Sequence, residues 1–543
     1  MLKKILQNLL PDFFLIILMT VIFNYSFFSK TYLDYKSSGG ISFLSWANLS
    51  LLVIVAQVLI FRIILLPVDI FCSIKKTHTA KKVFIFFIIL MSSIVAYAMD
   101  SFGVVFDQTM ILNVLKTTHA EAFELANSKF WIYLVFAAGV FICINYVISK
   151  KNVPSFKELL IDRLITFPLI VLTAFVLIYV NSPFYSSFFR AHKSLRYNIN
   201  PSYWVYNSIY FSSSQIFANE IQFSTYGRDA KINKDETDRK LVIFVLGETA
   251  RSDHFSLNGY PKETNPLLKN LDVLSFKNVS SCGTATAISV PCMFSHLKRE
   301  DFDGNVAKNT ENLLDILTHT KDISVLWRDN NSNSRGVANR VLYEDFRDSK
   351  VNPNCDEECR DIGMLVGLDE FIKTNPKKDI FIVLHMLGNH GPAYYKRYPK
   401  EFEKFKPTCQ TSLLEKCSNE EIKNAYDNIL VYTDYFLSEV INLLKRHSND
   451  FSSMMYYVSD HGESLGENGV YLHSMPYALA PRAQTHVPMI WWMDDKFKTR
   501  TGIKNSKDFL EKDFSHDNIF HTVLGLFKVE TIVYDKNLDI LQQ

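Results

Sequence analysis

Five long apolar runs crowd the first third of the chain: Pro11 to Phe28, Leu49 to Cys72, Val83 to Ala98, Phe130 to Ile148 and Leu164 to Val180. Each approaches the roughly 20 residues that a helix needs to cross the hydrocarbon core of a bilayer. Inside lipid every backbone N–H and C=O must be bonded within its own segment, so these runs are expected to be membrane helices. Buried helices of a soluble core are the blander reading, and five such runs packed into one third of a chain weigh against it. The net charge of +2 over 543 residues gives no footing for nucleic-acid binding.

Basic residues set the orientation. Lys3 and Lys4 precede the first run, and Lys75, Lys76, Lys81 and Lys82 separate the second from the third. Lys150, Lys151, Lys157 and Arg163 follow the fourth, whereas the alternate loops hold only Lys30 and Lys36, and Lys116 and Lys129. The positive-inside rule then puts the N-terminus in the cytoplasm, and an odd number of spans leaves the C-terminal part outside. No small-residue cleavage site follows the first run, so it reads as a retained anchor.

The cysteines agree with export. Cys72 and Cys143 fall within apolar runs, and the other six form three close neighbours in sequence: Cys282/Cys292, Cys355/Cys359 and Cys409/Cys417. Local disulfides fit an oxidising, periplasm-like compartment. Zinc binding by Cys355 and Cys359 is the alternative, but no second cysteine pair with a histidine nearby completes that pattern.

The chain is therefore expected to hold a five-helix transmembrane domain over 1–181, an interfacial helical bridge over 182–237 and an exported catalytic α/β domain over 238–543. The bridge mixes rings with polar residues, among them Tyr185, Tyr197, Tyr203, Trp204, Tyr206 and Tyr210. Such residues suit short helices lying at the membrane–water interface; a linker packed on the soluble domain is the alternative. Beyond it, Leu241–Leu246, Ile323–Trp327, Ile380–Leu387, Met454–Val458 and Val487–Trp492 are short apolar runs rich in branched and aromatic residues. Helical patterns separate them, notably Asn419 to Arg446 and Asp517 to Phe527. This alternation predicts a mostly parallel sheet covered by helices.

In open α/β sheets, ligands bind beyond the carboxyl ends of the strands. Three expected strands run there into Gly247-Glu248-Thr249, Gly388-Asn389-His390-Gly391 and Ser459-Asp460-His461-Gly462-Glu463. Any one of these acids or histidines alone would more often be a cap or a loop charge. Three such turns in register suggest a metal site, and carboxylate with imidazole suits zinc or manganese. Export, and the lack of an iron-type motif, favour zinc. The stretch Ser280 to Cys292 is small, polar and bounded by Cys282 and Cys292, and it reads as a loop entering a helix near Thr286. A helix N-terminus favours phosphate and developing negative charge. A metal-activated hydroxyl there would be a nucleophile. From the residues alone, Thr286, Thr249 and ordinary capping threonines all remain open.

The segments Gly247-Glu248-Thr249-Ala250-Arg251, Cys282 to Cys292, Gly388-Asn389-His390-Gly391-Pro392 and Ser459 to Glu467 resemble the phosphoethanolamine transferases. That family includes the lipid A-modifying and mobile colistin-resistance enzymes, within the alkaline phosphatase and sulfatase superfamily. The resemblance covers nearly the whole chain. It implies that one zinc is held by Glu248, Thr286, Asp460 and His461, with Thr286 as the nucleophile. It implies that His390 and His473 contact the substrate phosphate or a second, weaker metal, with Asn331 and Glu463 nearby. Arg335 stands where relatives often have lysine, and a planar fork is not a point charge. Asn113, Thr117 and Glu121, spaced by four, would share one helix face. By resemblance they help bind the donor headgroup, Glu121 meeting its ammonium; a solvated helix face is the alternative.

The implied activity transfers phosphoethanolamine from phosphatidylethanolamine to lipid A or another envelope glycan, by a monomer of the bacterial inner membrane. A sulfatase would need Cys or Ser before x-Pro-x-Arg, and neither Cys282-Gly283-Thr284 nor Cys292-Met293-Phe294 fits. A glycerol-phosphate transferase of the lipoteichoic acid synthase type shares the spans and a threonine, without the close cysteine pairs. A catalytically dead envelope-binding protein would not be expected to retain all of Glu248, Thr286, Asp460 and His461.

Overall fold

The structure, a computed structural model, describes residues 13–37, 43–117, 119–181, 185, 193–218, 222–232, 238–375, 377–503 and 506–543. Lys3, Lys4, Pro11 and parts of the expected bridge (182–184, 186–192, 219–221 and 233–237) lie outside the described residues. The chain divides into two compact units, Met1–Gln108 with Ala126–Phe211, and Thr109–Leu125 with Ser212–Gln543.

The first unit is helical. Phe43–Lys75, Thr79–Phe102, Ser128–Ser149 and Phe156–Val180 are each long and apolar enough to cross a membrane. The first expected run is instead two helices, Phe13–Ile22 and Tyr25–Tyr32, bent by 61°; among the described residues the count is four, or five if that pair is one span. The bend falls at Asn24, whose side chain bonds the Thr20 carbonyl at 2.8 Å and the Asn200 backbone at 2.6 and 2.7 Å. A side chain that competes for helix carbonyls and ties to a distant segment is a sufficient cause of a kink. Charges buried within these apolar helices are paired: Arg163 lies 2.6 Å from Asp69 and 2.8 Å from Asp162, and Lys81 lies 3.1 Å from Asp69. Ionisable groups in such a setting persist only when paired in this way.

The second unit is built on a seven-stranded sheet: β1 (Lys240–Gly247), β2 (Leu274–Phe276), β3 (Ile323–Asp329), β4 (Leu342–Asp345), β5 (Asp379–His385), β6 (Ser452–Ser459) and β7 (Met489–Met493). Its order is β2-β7-β6-β1-β5-β3-β4. Strands β6, β1, β5, β3 and β4 pair in parallel, as expected, but β7 pairs antiparallel with both β6 and β2. The sheet is therefore mixed, with four parallel pairings and two antiparallel ones, both made by β7. A parallel return needs a crossover element. Between β6 and β7 the helices are single turns, Glu467–Gly469, Tyr477–Leu479 and Arg482–Thr485, so the chain comes back antiparallel.

Central strand β1 is buried along its whole length, hence its unbroken apolar run. Val242, Phe244 and Leu246 join one core, with the Leu313–His319 and Asp517–Phe527 helices. Leu241, Ile243 and Val245 join the other, with the Asn419–Arg446 helix. Each fully buried side chain of this size contributes about 1.5–3 kcal/mol. The long helix starts at a reciprocal cap, Ser418 with Glu421. With both faces covered, the open edge at the carboxyl ends of β1, β5 and β6 is where polar groups collect.

Candidate functional site

Register brings the three turns together. Gly247 at the end of β1 pairs with Ser459 at the end of β6, and Leu246 pairs with His385 at the end of β5. The turns then bond one another: Asp460 N donates to Gly247 O at 2.9 Å, and Asn389 N to Glu248 O at 3.0 Å. Two glycines are required here. Gly388 has φ +51°, and a Cβ would lie 2.9 Å from Glu248 O; at Gly462 a Cβ would lie 2.1 Å from Ala483 O.

Glu248, Asp460 and His461 turn one ligand atom each into a common point, all within 4.8 Å of one another and all buried. Thr286 begins the Thr286–Met293 helix. Its Oγ1 lies 3.1 Å from Glu248 Oε2 and 3.3 Å from His461 Nε2. His461 Nδ1 donates to Gly462 O at 2.9 Å, which leaves the Nε2 lone pair facing the cluster. Asp460 Oδ1 accepts the amides of Thr249 and His461 at 3.2 and 2.7 Å, while buried Asp460 Oδ2 has no hydrogen-bond partner among the described residues. Burial first, then the charge of Asp460, pushes the Glu248 carboxyl well above the usual range. Two buried carboxylates facing an imidazole lone pair repel one another unless a cation joins them, and the Thr286 oxygen adds a fourth donor atom. The donor set fits a divalent metal such as zinc.

A second group lies beside the first, with the His461 and His473 ring centroids 4.5 Å apart. Glu463 is fully buried; its Oε1 accepts from Tyr394 OH at 2.7 Å and its Oε2 meets His473 Nδ1 at 2.8 Å. Burial alone would lower His473, but Glu463, by charge and hydrogen bond, with Asp460 and Glu121 behind it, outweighs that and its net shift is upward. His390 goes the other way, held well below 6.5 by burial and by its neighbour His473. Asn331 Nδ2 donates to Glu248 Oε2 at 2.8 Å and to Met386 O at 2.9 Å. Arg335, at φ 51°, donates to Ser332 Oγ at 2.7 Å and to Lys116 O at 3.2 Å.

Thr109–Leu125 belongs to this same unit. Asn113 Nδ2 donates to Ser474 Oγ at 3.0 Å, and Glu121 Oε1 lies 3.9 Å from His390 Nε2. One continuous helix face does not carry them, which corrects the sequence reading: the helices are Gln108–Lys116 and His119–Leu125. Thr117 Oγ1 bonds the Asn113 carbonyl at 2.8 Å where the first helix stops. Disulfides join Cys282 to Cys292, Cys355 to Cys359 and Cys409 to Cys417, as their spacing suggested.

Several supporting residues had no sequence signal beyond their polarity. His516 Nδ1 accepts from Cys282 N at 3.1 Å and Nε2 donates to Ser459 O at 3.0 Å, which ties the Thr286 loop to the Asp460 turn. Ser289 bonds the Asp460 carbonyl on the same path. Asp361 accepts from Leu387 N at 2.8 Å and Gly388 N at 3.3 Å, shaping the turn before His390. Each is remote in sequence from the group it supports.

Residues 240–529 match the Sulfatase family, and residues 63–216 match the family described as phosphoethanolamine transferase EptA/EptB. The chain is 40% identical over 528 residues to the phosphatidylethanolamine transferase Mcr-1 of Escherichia coli, covering 94% of this chain and 93% of the relative. Among solved structures, the lipooligosaccharide phosphoethanolamine transferase A (EptA) of Neisseria meningitidis superposes with a TM-score of 0.90 at 34% identity, covering 98% of each chain. The C-terminal periplasmic domain of phosphoethanolamine transferase EptC from Campylobacter jejuni is 43% identical, covering 59% of this chain and 97% of that one, with a TM-score of 0.53. With both regions matched and relatives covered almost end to end, this multi-pass membrane protein belongs to the phosphoethanolamine transferase family of the alkaline phosphatase and sulfatase superfamily.

Proposed function

We propose that the protein moves phosphoethanolamine from phosphatidylethanolamine to a cell-envelope acceptor, lipid A phosphate first and core heptose or another envelope glycan next, by way of a phosphoethanolamine ester on Thr286. The observation that carries this reading is the Thr286 hydroxyl, buried against Glu248 and His461 at the sheet edge, in a chain whose relatives are named for this transfer. The reading includes five spans of the inner membrane, a periplasmic catalytic domain and a monomer.

A zinc ion held by Glu248, Thr286, Asp460 and His461 would lower the pKa of the threonine hydroxyl and offset charge on the phosphoryl oxygens. Thr286 Oγ attacks the donor phosphorus, and the bond from phosphorus to the glycerol oxygen breaks. The hydroxyl proton leaves Oγ1, whose nearest acceptor is Glu248 Oε2 at 3.1 Å. His473, whose pKa the Glu463 carboxylate raises, donates a proton to the departing diacylglycerol oxygen. Arg335 and His390 face the transferring group, and Glu121 faces the ammonium. An acceptor oxygen then attacks the phosphorus in line, any proton it carries passing to His473, while the bond from phosphorus to Thr286 Oγ breaks and Oγ regains the proton held by Glu248.

Full-length, zinc-replete protein in detergent, incubated with headgroup-labelled phosphatidylethanolamine and no acceptor, should carry label on the Thr286 peptide and release diacylglycerol. Thr286→Ala should carry none. Equal label on that variant, or none on the native protein, would reject Thr286 and return attention to Thr249 and to other headgroups.

A further inference from the structure

Arg397 takes no part in the chemistry above, yet it joins three parts of the catalytic unit. Its side chain is only 3% exposed. Nε donates to the His390 carbonyl at 2.7 Å, Nη2 to Glu124 Oε2 at 2.5 Å and Nη1 to Glu124 Oε1 at 3.2 Å. Nη1 also pairs with Glu358, inside the loop closed by Cys355 and Cys359. Glu124 sits one turn after Glu121 on the His119–Leu125 helix. One guanidinium therefore holds both sides of the 3.9 Å gap between Glu121 and His390. It reaches the Glu121 side through Glu124 and the His390 side through that residue's own carbonyl. Glu121, Asn331 and His390 also line a cavity of about 420 Å³, room enough for a small polar headgroup.

A planar fork can serve a bidentate carboxylate, a second carboxylate and a carbonyl at once; an ammonium cannot hold that geometry. With its side chain only 3% exposed, the cation is poorly compensated by water when a partner is lost. We propose that Arg397, with Glu124 and Glu358, is a positioning clasp for the donor: it sets Glu121 against His390, and so sets affinity for a phosphate-linked primary ammonium. The clasp rests on the reading of Glu121 as the partner of that ammonium. Arg397 itself touches no reacting atom.

The test is steady-state kinetics of full-length, zinc-replete protein in detergent micelles, with phosphatidylethanolamine and its N-acetylated counterpart as donors. Glu124→Gln and Arg397→Lys should each raise KM for phosphatidylethanolamine about tenfold, leave kcat within about twofold, and narrow the preference for the free amine. Zinc content of Glu124→Gln should match the native protein, and its thermal midpoint should fall by less than that of Arg397→Lys, because glutamine keeps the shape and Glu358 still pairs the guanidinium. In a Glu121→Gln background, Glu124→Gln should add nothing, because it acts through Glu121. Additive effects in the double variant, an unchanged KM in Glu124→Gln, or a joint loss of kcat and thermal midpoint in both single variants would each overturn the clasp. If Glu121→Gln alone leaves KM and amine preference untouched, the headgroup reading fails, and the clasp with it. If Glu121→Gln raises KM and Glu124→Gln does not, the clasp alone fails.

Discussion

Two carboxylate–imidazole groups stand side by side at the sheet edge and are finished in opposite ways. Around Glu248, Asp460 and His461 the lone pairs converge: His461 Nε2 lies 3.5 Å from Glu248 Oε1 and 3.4 Å from Asp460 Oδ2. Around Glu463 every oxygen is answered, by Tyr394 on one side and His473 on the other. Buried polar groups left unanswered are costly, whereas a closed chain of hydrogen bonds is self-sufficient. On the mechanism proposed above, the first group takes a metal cation and the second holds a proton. Similar residue types, only a few positions apart in the Asp460 to His473 segment, are thus assigned different work by what surrounds them.

The sharpest way to break that contrast is Asp460→Asn. It removes one charge from the first group while keeping its size, and it should lower zinc affinity by more than about a hundredfold and abolish transfer. Added zinc should raise the thermal midpoint of the native protein and leave that of the variant unmoved, since only a ligand bound to the folded state stabilises it. Elemental analysis gives the zinc content directly. Full zinc occupancy in Asp460→Asn would refute the assignment of the two groups.

How far the sequence reached follows the same physics. The strand ends and their polar turns were legible because β1, β5 and β6 are apolar along their length and stop at glycine-flanked acids and histidines. The antiparallel β7 was not, because a short apolar run looks alike in either direction and the signal lies in a missing crossover. The kink at Asn24 depends on Asn200, far away in the chain, which no local pattern announces. In the site, groups next to a strand end could be proposed from position. Residues that act by reaching across the fold, such as His516, Ser289 and Arg397, carried no spacing to betray them. The break between Asn113 and Glu121 was hidden because a spacing of four is compatible with one helix and does not demand it.

A smaller effect should follow from Glu463→Gln, which alters the second group alone. On the proposed mechanism His473 must be protonated to give its proton away, so activity is expected below its pKa and lost as pH rises through it. Glu463 raises that pKa above the ordinary 6.5, so the alkaline limb of kcat should lie above that value. In Glu463→Gln the limb should move down and kcat at pH 7.5 should fall about 10–100-fold, with zinc content unchanged. A loss of zinc matching that of Asp460→Asn would show that the two groups form one centre.

The smallest effect concerns histidines the fold keeps neutral, and it isolates burial from partnership. His516 and His521 use Nδ1 to accept the amides of Cys282 and Asp535, at 3.1 and 3.0 Å, and burial pulls each down to about 4. Neither has a carboxylate in hydrogen-bond contact like that of His473, so burial wins. In the unfolded chain both titrate near 6.5, so between 6.5 and about 4 the unfolded state binds more protons than the folded one. Their contribution to stability is complete above 6.5 and is lost as pH falls through that window. His521 lies on the Asp517–Phe527 helix, where burial outweighs the charge of Asp535, and asparagine there keeps an acceptor for Asp535 N–H without a titrating ring. His521→Asn should therefore lower the thermal midpoint slightly at pH 7.5 and flatten its decline between pH 6.5 and 4.5 by up to one proton's worth, with zinc content unchanged. An identical decline in the variant would mean that His521 titrates as it does in the unfolded chain. Burial alone would then be too weak to neutralise an imidazole in this fold, and the upward shift of His473 would owe less to Glu463 than the geometry implies.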